Sequence, residues 1–318
     1  MAARSALPDA DAQPDAPSGN WVDRLAPEAW RPWLHLSRVD RPIGTWLLLL
    51  PCWWGIGLAM IAQGPLWRDL WIAAACGIGA LVMRGAGCTW NDFADRDIDA
   101  RVARTRNRPL ASGRITPRGA LVWLVLQALI GLGLLLTLGP AAISMGILSI
   151  LPFLIYPFAK RFTWWPQIFL GIAFNWGAML AWTAHAGRLE APAVVLWLAG
   201  IAWTLVYDTI YAHQDIEDDV LAGVKSTARL FGDATRRWLV LFAALSVLLM
   251  GLAVVLARPV GPVSIILAAC AVAGFGAHLA WQLRRFRLNE TALALRLFRS
   301  NRDAGLIAAL LLAVAGLA

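Results

Sequence analysis

Long uncharged stretches constrain this fold more than any other feature of the sequence. Residues 43–67 contain no charged side chain, and residues 119–159 continue for 41 residues without one. A helix needs about 20 apolar residues to cross the hydrocarbon core of a bilayer. Both stretches are therefore long enough to predict membrane-spanning helices.

Similar apolar runs along the rest of the chain predict about nine transmembrane helices. The stretch from 119 to 159 contains the turn-forming pair Gly139-Pro140, so it predicts two helices joined by a tight turn. Only 15% of the residues are charged, compared with about 25% in soluble domains. The predicted fold class is thus an all-α integral membrane protein. The remaining predicted spans are residues 43–67, 70–90, 162–187, 191–213, 238–257, 259–283 and 303–318.

The N-terminal segment has a different composition. Residues 1–20 are rich in Ala, Asp and Pro, and no basic segment leads directly into an apolar one, so we expect no cleavable signal peptide. We predict a disordered or interfacial tail over residues 1–34 and one polytopic domain over residues 35–318. The four cysteines fall in apolar stretches without metal-ligand spacing and are expected to be buried hydrophobes.

The distribution of Lys and Arg predicts the orientation in the membrane. If the N-terminus is cytoplasmic, 24 of the 28 basic residues lie on the inside, and the net charge of +8 is spread over short loops rather than indicating nucleic-acid binding. We expect a protein of the bacterial inner membrane. The 18 tryptophans suit belts at the membrane interfaces. The inside segments are residues 1–42, 91–118, 160–161, 214–237 and 284–302.

Acidic residues are concentrated in two short windows. Nine of the 20 acidic residues fall within residues 91–99, directly after the second predicted span, and residues 208–219, at the end of the sixth. Both windows are assigned to the same side of the membrane. Ionisable groups at the edge of a membrane segment are functional candidates by default. The alternative interpretation is a solvated loop edge, which two matching windows make less favourable than one.

Helical spacing turns each window into one acidic surface. Asp92, Asp95 and Asp99 follow the pattern i, i+3 and i+7, and Asn91 lies one turn before Asp95. Like charges on one helix face repel each other, and a divalent cation relieves that repulsion. Carboxylates that leave water positions open suit Mg²⁺ bridging to substrate phosphates. In the second window the pattern is i, i+7 and i+11, for Asp208, Asp215 and Asp219.

Basic residues accompany both acidic windows. A diphosphate leaving group needs cationic donors as well as a metal to disperse its charge. For Lys160, Arg161 and Lys225 we favour this functional role. For Arg118, Arg236 and the cluster at 284–302 we favour a role in topology alone. Further candidates are Arg101, Arg104, Arg106, Arg108 and Arg229.

These residues resemble the signatures of the UbiA superfamily of intramembrane prenyltransferases. Residues 91–99 match its NDxxDxxxD motif, and residues 215–219 match its DxxxD motif. The flanking segments are similar to the 4-hydroxybenzoate polyprenyltransferase branch. The resemblance covers about residues 35–318. Those flanking segments are residues 41–44, 104–113, 156–161, 207–212 and 223–227.

The resemblance implies a nine-helix bundle around a central cavity, with both motifs at its cytoplasmic mouth. It also implies transfer of a polyprenyl group from polyprenyl diphosphate to the ring of 4-hydroxybenzoate, a step in ubiquinone biosynthesis, by an enzyme embedded in the lipid bilayer. The cofactor would be Mg²⁺, which would promote ionisation of the diphosphate to an allylic cation. The implied catalytic residues are Asp92, Asp95, Asp99, Asp215 and Asp219, and with Asn91 they would hold the metal. The implied substrate-binding residues are Asn91, Arg96, Arg108, Lys160, Arg161, Asp208, Tyr211, Lys225 and Arg41.

Two questions stay open at this level. The acceptor carboxylate needs a cation, for which Arg161 and Arg41 are candidates, while Arg84 lies deep in its span and is a candidate partner for an acidic motif residue. Homogentisate, a naphthoate or haem are alternative acceptors within the superfamily. A cation or phosphate transporter is the alternative class, but transporters often place acidic groups near the bilayer midplane, and these windows lie at one interface.

The charge asymmetry yields a test of topology. We expect a cysteine introduced within residues 100–118 to react with a membrane-impermeant thiol reagent only from the cytoplasm, and one introduced near Arg188 to react only from outside. Labelling of intact and of inverted vesicles measures both. Reversed accessibility would contradict the predicted orientation.

Overall fold

A computed structural model describes residues 16–17, 19–102, 105–214, 216, 223–288 and 290–318. Within these ranges the regular structure is helical and no strand occurs. The helices are α1 (Trp21–Leu25), α2 (Arg31–Leu36), α3 (Ile43–Gln63), α4 (Arg68–Asp99), α5 (Pro117–Leu136), α6 (Pro140–Leu148), α7 (Ile150–Phe162), α8 (Pro166–Ala186), α9 (Ala191–Ala212), α10 (Thr227–Phe231), α11 (Thr235–Ala257), α12 (Pro262–Arg285) and α13 (Thr291–Leu317).

Eight helical stretches in this described part are long and apolar enough to cross a membrane, counting α6 with α7 and α10 with α11. Helix α8 is not among these eight, although its 21 residues would extend about 31 Å at 1.5 Å per residue. Together with α8, these stretches account for each of the predicted spans. The prediction of an all-α integral membrane protein is confirmed.

Helix α8 is less apolar because it carries buried polar side chains that are bonded to neighbouring segments. The Nδ1 atom of His185 lies 2.6 Å from Oδ1 of Asp69, and the side-chain amide of Asn175 donates to the hydroxyl of Thr204 at 2.8 Å. A buried polar group stays stable in such a place only when it has a hydrogen-bond partner. Hydropathy alone therefore understates how deeply α8 is buried.

The last helix is longer than predicted. We expected a short span over residues 303–318, but α13 starts at Thr291 and has 27 residues. Its first half is amphipathic, with Leu297 and Asn301 buried while Arg296 and Arg302 are exposed. A charge-based boundary stops at such arginines, whereas backbone hydrogen bonds of a helix continue through them.

Two elements at the N-terminus also go beyond the sequence prediction. Helix α1 and the first four residues of α2 lie within the predicted tail, so the boundary at 34/35 falls inside α2. Asn20 caps α1 by accepting hydrogen bonds from the backbone N–H groups of Val22 and Asp23, as short polar residues at a helix start commonly do. Residues 1–15 lie outside the described residues.

The chain divides into two compact units. Among the described residues, the first unit draws on Met1–Gly44 and Leu81–Gly131, and the second on Thr45–Ala80 and Leu132–Ala318. The first unit has a small hydrophobic core of Leu36, Leu110, Ile115 and Ala120, against which Trp33 and Trp123 pack. The ring centroids of these two tryptophans are 5.5 Å apart.

The second unit has an aromatic centre. Trp54 and Trp203 are fully buried, with ring centroids 4.9 Å apart. Their indole N–H groups donate to the carbonyl of Gly305 and to the side chain of Asn301, each at 2.8 Å. The assignment of tryptophans to interfacial belts is therefore wrong for Trp54, because a bonded indole can be buried as a large apolar group.

The expectation of buried cysteines is also wrong for Cys270, which is exposed on α12.

Small residues allow close approach of α3 and α8 in the second unit. A Cβ atom at Gly55 would overlap the backbone carbonyl of Ala178, which no side-chain rotation can relieve. At Gly251 on α11, by contrast, the nearest atom to such a Cβ is Cγ1 of Val272 at 3.7 Å, an ordinary contact.

These two glycines form a matched pair for a stability test. We expect Gly55→Ala to destabilise the protein by about 1–3 kcal/mol, the usual cost of overpacking a core. Gly251→Ala should leave stability unchanged or raise it, since Ala is the better helix former by about 1 kcal/mol. Thermal unfolding of the purified protein in detergent measures both. Equal melting temperatures for the two variants would contradict the close helix contact.

Candidate active site

The first acidic window forms the end of α4 and presents one buried carboxylate face. Asp92, Asp95 and Asp99 are only 1%, 0% and 6% exposed. Arg96 and Asp97, which lie between Asp95 and Asp99 in the sequence, are exposed. The structure thus brings together the three aspartates whose spacing predicts a common surface.

Two arginines lie against this carboxylate face. Nη1 of Arg108 is 2.7 Å from Oδ2 of Asp99 and 3.3 Å from Oδ1 of Asp92. Nη2 of Arg38 is 2.7 Å from the same Oδ1 atom of Asp92. Arg108 belongs to the predicted site. Arg38 does not, and it is the one residue of this group that the sequence interpretation missed.

Arg38 is buried at the turn between α2 and α3, and it stays charged there. It is 8% exposed. Burial alone would lower the pKa of Arg38, but the nearby Asp92 carboxylate outweighs burial and the pKa is raised above its usual value. The charge of Arg38 therefore compensates part of the negative charge on the acidic face.

One carboxylate oxygen of this group remains available to a metal. Oδ2 of Asp92 is buried and has no hydrogen-bond partner among the residues that the structure describes. A buried acceptor without a partner is costly, and an oxygen ligand to Mg²⁺ would remove that cost. Asn91 is half-buried at the same helix end. The donor set therefore fits Mg²⁺, although the described residues contain no group of three His, Cys, Asp or Glu side chains placed to hold a metal by themselves.

Arg41 has a carboxylate partner next to it in the chain. Its Nε and Nη2 atoms each lie 3.2 Å from an oxygen of Asp40. Asp40 is also bonded to Nδ1 of His35 at 3.1 Å, and Nε2 of His35 lies 3.0 Å from Asp23. Burial would raise the pKa of Asp40, but His35 and Arg41 together lower it below its usual value. These contacts engage Arg41 within the N-terminal segment.

Two further predicted arginines take other positions. The Nε atom of Arg96 lies 3.3 Å from Asp97 in an exposed pair, so the structure does not bring Arg96 to the carboxylate face. Arg84 packs against the backbone of Gly44, where a Cβ atom would overlap its guanidinium. A larger residue at position 44 would require the Arg84 guanidinium to move.

In the second unit, the last turn of α7 and the loop before α10 carry predicted cations, and a backbone hydrogen bond joins them. The N–H group of Lys225 donates to the carbonyl of Lys160 at 3.2 Å. The ammonium group of Lys225 lies 6.0 Å from the ring centre of Trp164, and the guanidinium of Arg229 lies 5.4 Å from it. The fold therefore brings together the backbones of Lys160 and Lys225, two basic residues that are 65 positions apart in the sequence.

The remaining predicted residues of this unit lie near these loops in the sequence. Arg161 is exposed, with its guanidinium 5.0 Å from the ring centre of Phe158. Asp208 is half-buried, and Tyr211 is half-buried with its ring centroid 4.6 Å from that of Phe298. His213 is buried after α9, and burial lowers its pKa to about 4. Asp215 and Asp219 lie outside the described residues.

An apolar cavity of about 520 Å³ lies elsewhere in the second unit. Its walls include Trp53, Met60, Leu66 and Leu310, and none of the predicted site residues that the structure describes lines it. This cavity is therefore not the one expected at the aspartate motifs.

Comparison with known proteins identifies the class of the chain. The model of the UbiA prenyltransferase family matches residues 48–317. The chain therefore belongs to the UbiA prenyltransferase family.

Two relatives carry the same name. The 4-hydroxybenzoate polyprenyltransferase, mitochondrial, of Arabidopsis thaliana is 48% identical over 83% of this chain and 60% of its own length. The mouse (Mus musculus) protein of that name is 46% identical over 90% of this chain and 75% of its own length. The chain thus spans less than two thirds of the length of the plant relative. It spans three quarters of the length of the mouse relative.

Solved structures show the same fold. A UbiA homologue from Aeropyrum pernix K1, in its apo form, superposes with a TM-score of 0.71 at 24% identity, covering 85% of this chain and 97% of its own. A UbiA homologue from Archaeoglobus fulgidus, bound to GPP and Mg²⁺, gives a TM-score of 0.65 at 21% identity, covering 89% of this chain and 98% of its own.

The contacts of Arg108 yield a prediction about prenyl transfer. Arg108→Gln removes the cation that bridges Asp92 and Asp99, so we expect activity to fall about 10–100-fold, as for other residues that orient ligating carboxylates. Arg118, exposed at the start of α5, offers a matched control, and Arg118→Gln should change activity less than about fivefold because surface charges contribute little. Initial rates in purified membranes measure both. Similar rates for the two variants would exclude the bridging role.

Proposed function

We propose that this protein transfers a polyprenyl group from polyprenyl diphosphate to the ring carbon of 4-hydroxybenzoate ortho to the hydroxyl, a step of ubiquinone biosynthesis. Family membership and the two relatives named 4-hydroxybenzoate polyprenyltransferase, at 48% and 46% identity, support this activity. The flanking segments that resemble this branch support the choice of acceptor. Because the chain spans only part of each relative's length, the activity of the whole enzyme is itself part of this proposal.

The observation that carries the proposal is the buried carboxylate face of α4. Three aspartates of low exposure share this face, and the Oδ2 atom of Asp92 has no hydrogen-bond partner within the described part of the chain. A helix gains no stability from gathering such charges. A site that binds a cation and an anionic diphosphate accounts for them.

The residues divide into metal ligands and cations. Asn91, Asp92, Asp95 and Asp99 of the first motif, with Asp215 and Asp219 of the second, would hold Mg²⁺. When bound, Mg²⁺ would supply a Lewis acid that disperses the charge of the diphosphate leaving group. The Archaeoglobus relative that was solved with Mg²⁺ and GPP supports this choice of metal. Arg108, Lys160 and Lys225 would donate hydrogen bonds to the diphosphate oxygens, with Arg96, Asp208 and Tyr211 as further substrate-binding residues.

The reaction breaks the bond between the allylic carbon of the prenyl group and the diphosphate oxygen, and the electron pair leaves with the diphosphate. The ring carbon beside the phenolic oxygen forms the new carbon–carbon bond, and the ring loses its proton. The apolar side chains of the transmembrane helices exclude water, which would otherwise react with the allylic cation.

For the acceptor carboxylate we propose one of two arginines, Arg161 or Arg41. The Nε and Nη2 atoms of Arg41 each face Asp40. Arg161 packs its guanidinium on Phe158 and is exposed at the end of α7. An arginine fork suits a carboxylate because it can donate two parallel hydrogen bonds.

We further propose that the protein lies in the inner membrane of a bacterium, with its N-terminus and both motifs on the cytoplasmic side. The asymmetry of the basic residues supports the orientation. Residues 1–34 would form an interfacial tail and residues 35–318 the catalytic domain. The plant and mouse relatives are mitochondrial by name, so the compartment rests on the sequence pattern alone.

Product analysis tests the activity and the metal together. Membranes containing the protein are incubated with one polyprenyl diphosphate and a panel of acceptors, namely 4-hydroxybenzoate, homogentisate, a naphthoate and haem. We expect mass spectrometry to detect prenylated 4-hydroxybenzoate, EDTA to abolish its formation and added Mg²⁺ to restore it.

Membranes that carry Asp95→Asn provide the control. That change keeps the shape of the side chain but removes one carboxylate charge, and losing one oriented electrostatic contact typically costs about 10²–10³ in rate. A product formed only from another acceptor would replace the proposed substrate. Full activity in chelated membranes would falsify the metal-dependent reaction.

A further inference from the structure

Arg38 has a backbone conformation that is unfavourable for an arginine. Its φ angle is +58°, in the left-handed region, and only Arg38 and Arg258 among the described non-glycine residues have a positive φ. Such a conformation costs free energy unless the surrounding structure imposes it, and residues of this kind cluster at functional sites. The observation calls for an explanation in terms of what the Arg38 side chain does.

The guanidinium of Arg38 joins the N-terminal segment to the acidic face of α4. Nη1 donates to the carbonyl of His35 at 3.0 Å, and Nη2 donates to Oδ1 of Asp92 at 2.7 Å. One planar group thus fixes the distance between a backbone carbonyl and a carboxylate. A lysine has a single ammonium and a flexible stem, so it could keep the charge but would hold both acceptors less rigidly.

The turn that carries Arg38 is itself held by a chain of ionic contacts. Both ring nitrogens of the buried His35 face carboxylates, Nδ1 toward Asp40 and Nε2 toward Asp23. The backbone N–H of Arg38 donates to the carbonyl of His35 at 3.1 Å, and the N–H of Arg41 donates to the carbonyl of Arg38 at 3.2 Å. These contacts connect α1, α2 and the start of α3, and they leave the Arg38 side chain little freedom.

The two oxygens of Asp92 therefore have different surroundings. Oδ1 accepts hydrogen bonds from Arg38 and Arg108, whereas Oδ2 is buried and no described residue donates to it. A partial rotation of the carboxylate about its Cβ–Cγ bond would turn Oδ2 away from its present position, and the hydrogen bond from Arg38 to Oδ1 opposes that rotation. Ligating carboxylates in metal sites are commonly oriented by such partners.

We propose that Arg38 is a positioning residue for the metal site: it fixes Oδ1 of Asp92 so that Oδ2 is available to the divalent cation. This inference rests on the proposed metal-dependent function. It makes the N-terminal segment up to Arg41 a part of the metal site, although that segment contributes no ligand of its own.

The variant Arg38→Gly tests this role with little change in the backbone. Glycine adopts a positive φ at no steric cost, so the turn keeps its shape while the guanidinium is lost. Arg258→Gly is the matched control, because Arg258 has a φ angle of +56° and is exposed beyond the end of α11. Binding of Mn²⁺, which shares the oxygen ligands of Mg²⁺, is measured by electron paramagnetic resonance on the full-length protein in detergent without substrates.

We expect Arg38→Gly to raise the Kd for Mn²⁺ about 10–100-fold, and to lower the melting temperature measured without metal, because the buried Asp92 carboxylate loses an ion-pair partner. Arg258→Gly should leave the Kd unchanged. In the transfer assay, the Mg²⁺ concentration for half-maximal activity of Arg38→Gly should rise by the same factor, and saturating Mg²⁺ should restore kcat. Arg38→Lys, which keeps the charge, should give a Kd between those of the wild type and Arg38→Gly.

Several outcomes overturn the proposal. An unchanged or lower Kd in Arg38→Gly would make Arg38 a competing counter-ion rather than a positioning residue. A lower melting temperature in Arg38→Gly together with an unchanged Kd for Mn²⁺ would make its role purely structural. A Kd for Arg38→Lys no better than for Arg38→Gly would exclude the charged hydrogen bond to Asp92. If the wild-type protein itself bound no Mn²⁺, the metal site of the proposed function would fail as well, whereas the preceding outcomes leave that site intact.

Discussion

The carboxylate charge buried at the end of α4 is the constraint on which the site depends. An ionised carboxylate taken out of water is costly unless it is paired, and three of them lie on one face with low exposure. Arg108 and Arg38 compensate part of this charge through bonds to Asp92 and Asp99. The buried Oδ2 atom of Asp92 accepts no hydrogen bond from the described residues. A bound cation would therefore stabilise the site most at this atom. The acidic face is therefore suited to a site that binds a cation, and it is poorly suited to a purely structural role.

The sequence predicted this face because helical periodicity is a local property. Asp92, Asp95 and Asp99 lie within eight residues, and their spacing alone places them together. Arg38 is 54 residues from its partner Asp92, and no local pattern links the two. Its contact depends on a left-handed turn that an arginine rarely adopts, so neither charge counting nor helix periodicity could select it over Arg41. Each of the two is an arginine that precedes a membrane span.

The transmembrane spans were predictable for the same reason, and their limits show what hydropathy omits. It places the spans because the bilayer requires long apolar segments. It does not register that Trp54 has an interior acceptor in Gly305, or that Asn175 and His185 of α8 are bonded inside the protein. Those partners lie on other helices, so whether a polar or aromatic residue faces lipid, headgroups or the interior is decided only by tertiary packing.

The backbone hydrogen bond between Lys225 and Lys160 restricts changes in the length of the segments that it joins. Surface loops generally accept insertions at small cost in free energy. Here a single main-chain hydrogen bond holds the last turn of α7 against the loop before α10. The N–H of Lys225 donates to the carbonyl of Lys160 at 3.2 Å. An added residue on either side of that bond would shift both lysines relative to Trp164, even if every side chain were kept. Chimeras between relatives should therefore exchange the segments following α7 and α9 as one cassette rather than separately.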